Sequence, residues 1–195
     1  MRLFTGVDLP EHVHDRLERL LAVLRPTAHL IWSPVYNLHI TTKFIGEWPE
    51  EKLDDLVAVL RRMPPALPFS IALCDIGWFP GPQHPRVFWA GVHGGAQLAS
   101  LAKRTEDALV PLGIPREARE YAPHLTLARI RRPVPLQAMR NALSNLESFD
   151  FGSVETDRFH LYESRPGSAG TVYSKLAEFK LSESGEAGGS RRKGA

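Results

Sequence analysis

Two copies of the tripeptide His-x-Thr, at His39 to Thr41 and at His124 to Thr126, have the residue types and spacing that favour catalysis. An imidazole titrates near neutral pH, so one neutral histidine can accept a proton while a second, protonated histidine donates one. A threonine hydroxyl can hold a phosphate oxygen as negative charge develops on it. Hydrolysis of a phosphodiester needs these parts and no metal ion. The repeated motif therefore predicts acid–base catalysis on a phosphodiester.

Each motif lies in a segment that we expect to be a β-strand. Side chains alternate between the faces of a strand, so His39 and Thr41 share one face while Leu38 and Ile40 share the other. The second motif alternates in the same way. A single His-x-Thr in a strand is common and needs no catalytic explanation. Two copies, each with its polar pair on one face, favour a catalytic function.

The two motifs belong to a longer internal repeat. The segment Tyr36 to Thr41 resembles Tyr121 to Thr126, and the segment 2–7 resembles 86–92. Gly6 and Gly91 are 85 positions apart, and so are His39 and His124. Two separated blocks that share one offset indicate a tandem duplication.

Hydrophobic periodicity predicts the same order of elements in both halves. The predicted strands are 2–7, 38–45, 69–76, 86–92, 124–130, 154–162 and 172–181, and the predicted helices start after Pro10 and near residues 50, 96 and 135. This order predicts an α+β fold with two antiparallel sheets, each covered by helices and related by a pseudo-two-fold axis. The active site would lie in the groove between the two lobes. The sequence leaves the strand pairing open, because duplicated folds often exchange strands.

We assign residues 1–181 to a single bilobal domain, with repeats at about 1–78 and about 86–181. Residues 182–195 are rich in glycine, serine and charge, so we expect a disordered tail. With 195 residues, 43% of them hydrophobic, the chain can bury a sizeable core. No apolar stretch approaches the length of a membrane span or a signal peptide. We therefore expect a monomeric cytoplasmic protein that contacts no membrane.

The composition also bears on cofactors and partners. A net charge of +2 gives no global positive field for wrapping duplex nucleic acid. The single cysteine, Cys74, excludes an intramolecular disulfide and a zinc cluster built on cysteines, and its apolar neighbours predict a buried, inert thiol. There is no HExxH motif, no phosphate-binding P-loop and no histidine–carboxylate cluster at metal-ligand spacing. We predict no metal site and no cofactor.

The segments Leu38 to Glu47 (LHITTKFIGE) and Pro123 to Arg129 (PHLTLAR) resemble the motifs of the 2H phosphoesterase superfamily. Within it they are most similar to the bacterial and archaeal RNA 2',3'-cyclic phosphodiesterases, also called 2'-5' RNA ligases. The resemblance extends over residues 1–181 and includes Arg2 to Phe4 and the segment from Phe159 to Tyr173. Thr42 stands where the first motif usually has an apolar residue, and it should face away from the cleft.

This resemblance implies hydrolysis of a 2',3'-cyclic phosphate to a 2'-phosphomonoester, with His39 as the proton donor and His124 as the proton acceptor. The residues alone leave the two roles open, because the halves look symmetric. Thr41 and Thr126 would complete the catalytic set. The implied partner is RNA with a 2',3'-cyclic phosphate end, or a small cyclic nucleotide. Ligation by a 2'-5' bond is implied as a reverse capacity.

Two cations are candidates for binding the substrate. Lys43 shares parity with His39, so it could reach the cleft, although a solvated lysine at a strand end is the alternative. Arg129 occupies the position of a phosphate-binding arginine in the family. Simple alternation places it opposite His124, so only a bulge or the end of the strand would turn it into the groove.

Aromatic residues near the motifs could stack an RNA base or simply pack. Alternation places Phe44 in the core, and the stacking candidates are Trp32, Tyr36 and Tyr121. Two other functions remain open at the level of the sequence. One is a related 2H enzyme that acts on another cyclic phosphate or on a 2'-5' oligonucleotide. The other is a non-catalytic module that binds RNA 3' ends.

Overall fold

The computed structural model describes residues 1–167 and 170–182, so the predicted tail lies outside the described residues beyond Ser182. Four helices are present: α1 (Glu11–Leu24), α2 (Leu53–Arg61), α3 (Gly95–Leu109) and α4 (Gln137–Ser144). The nine strands are β1 (Arg2–Val7), β2 (Ile31–Trp32), β3 (Ile40–Glu47), β4 (Phe69–Phe79), β5 (Val87–His93), β6 (His124–Arg129), β7 (Asp150–Thr156), β8 (Arg158–Gly167) and β9 (Gly170–Lys180).

The predicted α+β fold with two antiparallel sheets is confirmed. The first sheet has the order β3-β1-β8-β9 and the second has the order β2-β6-β5-β4-β7, with every pair of neighbours antiparallel. Strands are exchanged between the repeats. Strand β4 of the first half lies inside the second sheet, and β8 and β9 of the second half complete the first sheet. The segment predicted as one strand over 154–162 is two strands, because the chain passes from one sheet to the other at Asp157.

The helices are exchanged as well. Helix α1 of the first half packs on β7 and α4 beside the second sheet, whereas α3 of the second half packs on β3 and α2 beside the first. The exchange works because each helix is amphipathic with an apolar face at helical spacing. The buried residues of α1 are Val13, Leu17, Leu20, Leu21 and Leu24. Within the described residues, no helix is both long and apolar enough to cross a membrane.

A β-bulge interrupts strand β3 directly after the first motif. Across the β1–β3 pair, Gly6 is opposite Thr41 and Thr5 is opposite Lys43, so Thr42 is an extra residue on β3. Thr42 and Thr5 are both buried, and their hydroxyls lie 2.7 Å apart. Thr42 therefore faces away from the cleft, as the sequence predicts.

An equivalent bulge interrupts β6 after the second motif. Trp89 is opposite Thr126 and Phe88 is opposite Ala128, which leaves Leu127 as the extra residue. This position is 85 residues after the bulge in β3, so the repeats share the irregularity as well as the motif. An extra residue shifts the alternation by one, so every side chain beyond it changes face.

Candidate active site

The two motif histidines make the same backbone hydrogen bond. Nδ1 of His39 donates to the carbonyl oxygen of Asn37 at 2.8 Å, and Nδ1 of His124 donates to that of Ala122 at 2.8 Å. A carbonyl oxygen can only accept, so the proton of each neutral ring is on Nδ1. Nε2 is then the atom of each imidazole that can accept or release a proton.

The surroundings of the two imidazoles differ. The His39 ring stacks on Phe4, with centroids 4.4 Å apart, and meets the edge of Tyr173 at 4.9 Å. Tyr162 stacks on the Phe4 ring at 4.9 Å and lies 5.7 Å from His39. Around His124, the described ring contact is the edge-on approach of Phe79 at 5.0 Å. Strands β8 and β9, which carry the tyrosines, therefore shield His39 from water.

This shielding affects the protonation of His39. Burial lowers its pKa, while the hydrogen bond to Asn37 and the negative charge of Asp8 act in the opposite direction. The pKa of His39 is below its ordinary value of 6.5 as a result. These surroundings thus favour the neutral imidazole of His39.

Asp8 is the nearest described acid that acts on His39. Burial raises the pKa of Asp8, but hydrogen bonds from Lys175 and Tyr162 outweigh it and hold the pKa below its usual value. Both donors bond the Asp8 carboxylate directly, and Nδ1 of His160 lies 3.6 Å from it. The Asp8 carboxylate is therefore held in place as a negative charge that acts on His39.

Hydrogen bonds from the opposite repeat hold the two motif strands. The hydroxyl of Tyr121 donates to the carbonyl oxygen of Thr41 at 2.8 Å. The hydroxyl of Ser33 donates to the carbonyl oxygen of Thr126 at 2.7 Å. Each repeat thus supports the motif strand of the other. Both threonine side chains are only partly buried, which leaves their hydroxyls accessible to a ligand.

The bulge in β6 turns Arg129 towards the face of His124. Burial raises the pKa of the Tyr173 hydroxyl, and the positive charge of Arg129 acts in the opposite direction. The guanidinium therefore lies near the ring that contacts His39, although Arg129 belongs to the strand of His124. Strands β3 and β6 contact each other between the two sheets, and Arg129 is exposed at the end of β6.

The bulge in β3 overturns the placement of Phe44 and Lys43. Phe44 is not in the core: it is 60% exposed and lies beside Phe4, with centroids 6.3 Å apart. Lys43 does not point into the cleft. Its side chain is 3% exposed, and Nζ donates to the carbonyl oxygen of Pro115 at 2.8 Å. Alternation along an unbroken strand would have put both side chains on the opposite faces.

The remaining aromatic candidates differ in how far their rings are exposed. Tyr36 is 75% exposed. Tyr121 is held by its hydroxyl bond to β3, and burial raises its pKa. Trp32 packs edge-on against Phe88 and donates from Nε1 to Ala28 at 3.3 Å. Packing accounts for Tyr121 and Trp32, whereas Tyr36 and Phe44 present exposed rings.

The sequence is similar to that of known proteins. The family model described as "LigT like Phosphoesterase" matches residues 7–89 and 92–173, one segment for each repeat. An "RNA 2',3'-cyclic phosphodiesterase" of Methanocaldococcus jannaschii is 31% identical over 179 residues, covering 92% of this chain and 100% of that protein.

Solved structures share the fold. A crystal structure of a Thermus thermophilus protein superimposes with a TM-score of 0.78 at 32% identity, covering 93% of this chain and 98% of that one. Escherichia coli LigT complexed with 3'-AMP has a TM-score of 0.73 at 25% identity, with the same coverage of 93% and 98%.

Proposed function

Because the chain belongs to the LigT-like phosphoesterase family, we propose that it hydrolyses 2',3'-cyclic phosphate ends of RNA to 2'-phosphomonoesters. The observation that carries the proposal is the pair of His-x-Thr motifs in equivalent bulged strands, each with Nε2 available for proton transfer. The curated relatives named as RNA 2',3'-cyclic phosphodiesterases support the substrate class.

In the proposed reaction, neutral His124 takes a proton from a water molecule through Nε2. The water oxygen forms a bond to phosphorus, and the bond from phosphorus to the ribose O3' breaks. His39, protonated, gives its Nε2 proton to the departing O3' and leaves the phosphate on O2'. Each proton transfer contributes about 10²–10⁴-fold to the rate.

The phosphate needs partners for its non-bridging oxygens. The hydroxyls of Thr41 and Thr126 are accessible on the two motif strands, and Arg129 adds a charge-assisted donor at the groove edge. These groups would hold phosphorus in line between the two imidazoles and stabilise the charge that develops during attack. Lys43 takes no part, because its ammonium is buried on the other face of β3.

The surroundings of His39 allow the bound substrate to promote protonation of this histidine. Burial disfavours the imidazolium in the empty groove. A phosphodiester carries a negative charge, and an opposite charge within about 4–6 Å favours the protonated form. Substrate binding would therefore raise the pKa of His39 and supply the acid when it is needed. The donor role of His39 follows the family resemblance and is compatible with this electrostatic account.

Ligation uses the same groups. If the 5'-hydroxyl of a second RNA took the place of water, attack on the cyclic phosphate would create a 2'-5' bond, with O3' leaving as before. His124 would accept the hydroxyl proton instead of the water proton. We propose 2'-5' ligation as a side capacity. We also propose that residues 1–181 act as a monomeric domain, since every proposed catalytic group comes from one chain.

The test is incubation with an oligonucleotide ending in a 2',3'-cyclic phosphate, with EDTA present and the terminal phosphate of the product mapped. We expect ring opening in EDTA and a 2'-phosphate. His39→Ala and His124→Ala should each lower kcat by at least about 10²-fold, the value of one acid–base role. His29→Ala is the matched control, since His29 is exposed outside the motifs. No opening in EDTA, or near-wild-type activity in both motif variants, would refute the proposal.

A further inference from the structure

Three side chains of metal-ligating type converge where β4 pairs with β5. Nε2 of His93 lies 3.2 Å from Oδ2 of Asp75, and Sγ of Cys74 lies 3.6 Å from the same oxygen. The nitrogen, oxygen and sulfur atoms all lie within 4.8 Å of one another. Cys74 is half-buried rather than enclosed in the core, so the prediction of a buried, inert thiol does not describe its surroundings.

The backbone of β4 creates this convergence. Adjacent residues of a regular strand point to opposite faces, which would separate Cys74 from Asp75. Asp75 instead has a φ of 68°, in the left-handed region, within a bulge of the β4–β5 pair. Left-handed backbone costs a non-glycine residue free energy and often marks a functional site. This local turn lets the thiol and the carboxylate point to the same side.

Gly91 keeps the space between the two strands open. A Cβ at this position would collide with the carbonyl oxygen of Cys74 and would lie 3.1 Å from Nε2 of His93. Because Gly91 is the register partner of His124, the cluster lies beside the strand of the second motif. It contains neither motif histidine.

We propose that Cys74, Asp75 and His93 form a binding site for a thiophilic divalent cation, with Zn²⁺ as the best match. Tetrahedral Zn²⁺ has bonds of about 2.0–2.2 Å to nitrogen and oxygen and about 2.3 Å to sulfur. These bond lengths give ligand separations of about 3.3 Å for N···O and about 3.6 Å for S···O. The separations of 3.2 and 3.6 Å in the cluster correspond to the edges of such a tetrahedron.

The chemistry of the three ligands fits the same ion. Thiolate and imidazole favour zinc over magnesium or calcium, which prefer oxygen ligands. Binding releases the thiol proton, and the thiolate and carboxylate then balance the two charges of the cation. Asp75 and His93 are exposed, which leaves the fourth position to water.

The first sheet offers an internal comparison. The positions 85 residues away from Asp75 and His93 are His160 and Asp8, which form a similar histidine–carboxylate pair at 3.6 Å. The position equivalent to Cys74 is Phe159, which packs on Phe179. The carboxylate–imidazole pair is therefore common to both sheets. Only the second has a thiol beside it, and that is the ligand that makes it a metal site.

The experiment is a titration of the reduced, metal-free full chain with Co²⁺, which replaces Zn²⁺ and reports sulfur ligation by a charge-transfer band in the near ultraviolet. Since Cys74 is the only cysteine, the band can arise from no other residue. We expect the band to saturate at one Co²⁺ per chain and to disappear when Zn²⁺ is added. His93→Gln and Asp75→Asn should each weaken Co²⁺ binding at least about 10-fold. His29→Gln, an exposed histidine away from the cluster, should change nothing.

Two further measurements keep the proposal falsifiable if a variant folds poorly. Zn²⁺ should raise the Tm of the wild type but not that of Cys74→Ser. In EDTA, Cys74→Ser should open the cyclic phosphate as fast as the wild type, because the cluster is separate from the catalytic histidines. The proposal is overturned if the wild type shows no band, or if the band persists unchanged in both His93→Gln and Asp75→Asn.

Discussion

At the scale of single residues, the two motif histidines share one hydrogen-bonding pattern but have different aromatic neighbours. In the proposed mechanism, kcat/KM depends on a free enzyme in which His124 is neutral and His39 is protonated. The protonated fraction of His39 is lost as the pH rises through its pKa, which burial holds below 6.5. The alkaline limb of the kcat/KM profile should therefore fall below pH 6.5. In the substrate complex the phosphate charge raises this pKa, so the alkaline limb of kcat should lie at higher pH.

Steady-state kinetics from about pH 4.5 to 9 can separate the two profiles. Coincident alkaline limbs for kcat and kcat/KM would contradict substrate-linked protonation of His39.

Asp8 provides a second check on the same histidine. Its carboxylate favours the charged form of His39, so Asp8→Asn should move the alkaline limb of kcat/KM to lower pH. Asp54→Asn, at an exposed position of α2, is the control and should leave the limb in place. A change in the height of the profile without a shift in the limb would mean that Asp8 acts only on folding or on geometry.

Arg129 is tested by comparing two substitutions. A hydrogen bond to a charged group is worth about 1.5–3 kcal/mol, so Arg129→Ala should lower kcat/KM by roughly 10- to 150-fold. Arg129→Lys should recover only part of this loss, because an ammonium lacks the planar fork that binds two phosphate oxygens. Arg131→Ala, an exposed arginine beyond β6, serves as the control. Equal effects of Arg129→Ala and Arg131→Ala would point to general charge rather than a phosphate contact.

At the scale of the strand, the bulges decide which predicted residues reach the groove. Alternation correctly places each histidine and threonine of a motif on one face, because those residues precede the extra residue. It fails for Lys43 and Phe44, and without the bulge it places Arg129 on the face opposite His124. All three residues follow a bulge. A bulge is a property of pairing with a partner strand far away in the chain. The local sequence of one strand therefore could not reveal it.

Lys43, which the bulge turns to the buried face of β3, contributes to the stability of the fold. Its ammonium lies 3.1 Å from Glu117 and 3.5 Å from Glu106, and it joins β3 to α3 and the segment that follows α3. Lys43→Met would remove the ammonium from the mostly buried Glu106 carboxylate, which would still accept the backbone N–H of Glu117. Breaking a buried ion pair typically costs about 3–5 kcal/mol. For a chain of this size the Tm should fall by roughly 6–20 °C.

The activity of Lys43→Met gives the discriminating measurement. Well below its Tm, the folded variant should keep kcat/KM within about threefold of the wild type, because Lys43 does not face the groove. Lys52→Met, at an exposed position, should change neither quantity. A large loss of kcat/KM at unchanged Tm would restore the substrate-binding role that parity predicts for Lys43.

At the scale of the whole molecule, neither repeat alone supplies all the strands of either sheet. Residues 1–84 lack β8 and β9, and residues 85–195 lack β2 and β4. Each half expressed alone would expose unpaired strand edges and the apolar faces of misplaced helices. We expect both halves to be unfolded separately and to associate into an active enzyme when produced together. Circular dichroism and co-purification can measure this, and cooperative unfolding of either isolated half would contradict it.

The duplication and the fold class follow from the sequence because motifs, offsets and periodicity are local quantities. The exchange of strands and helices does not, since it depends on which edges meet in space. The cluster of Cys74, Asp75 and His93 was missed for the same reason. Its members are joined by the pairing of β4 with β5, and their spacing along the chain resembles no metal-binding motif.

The exchanged strands also set the order in which the active site is assembled during synthesis. His39 leaves the ribosome early, but Tyr162 and Tyr173, which enclose its ring, are among the later residues of the domain to emerge. Until β8 and β9 pair with β1, a nascent chain carries the first histidine without its shielding wall. A nascent chain without β8 and β9 therefore lacks the shielded surroundings of His39 on which the proposed reaction depends.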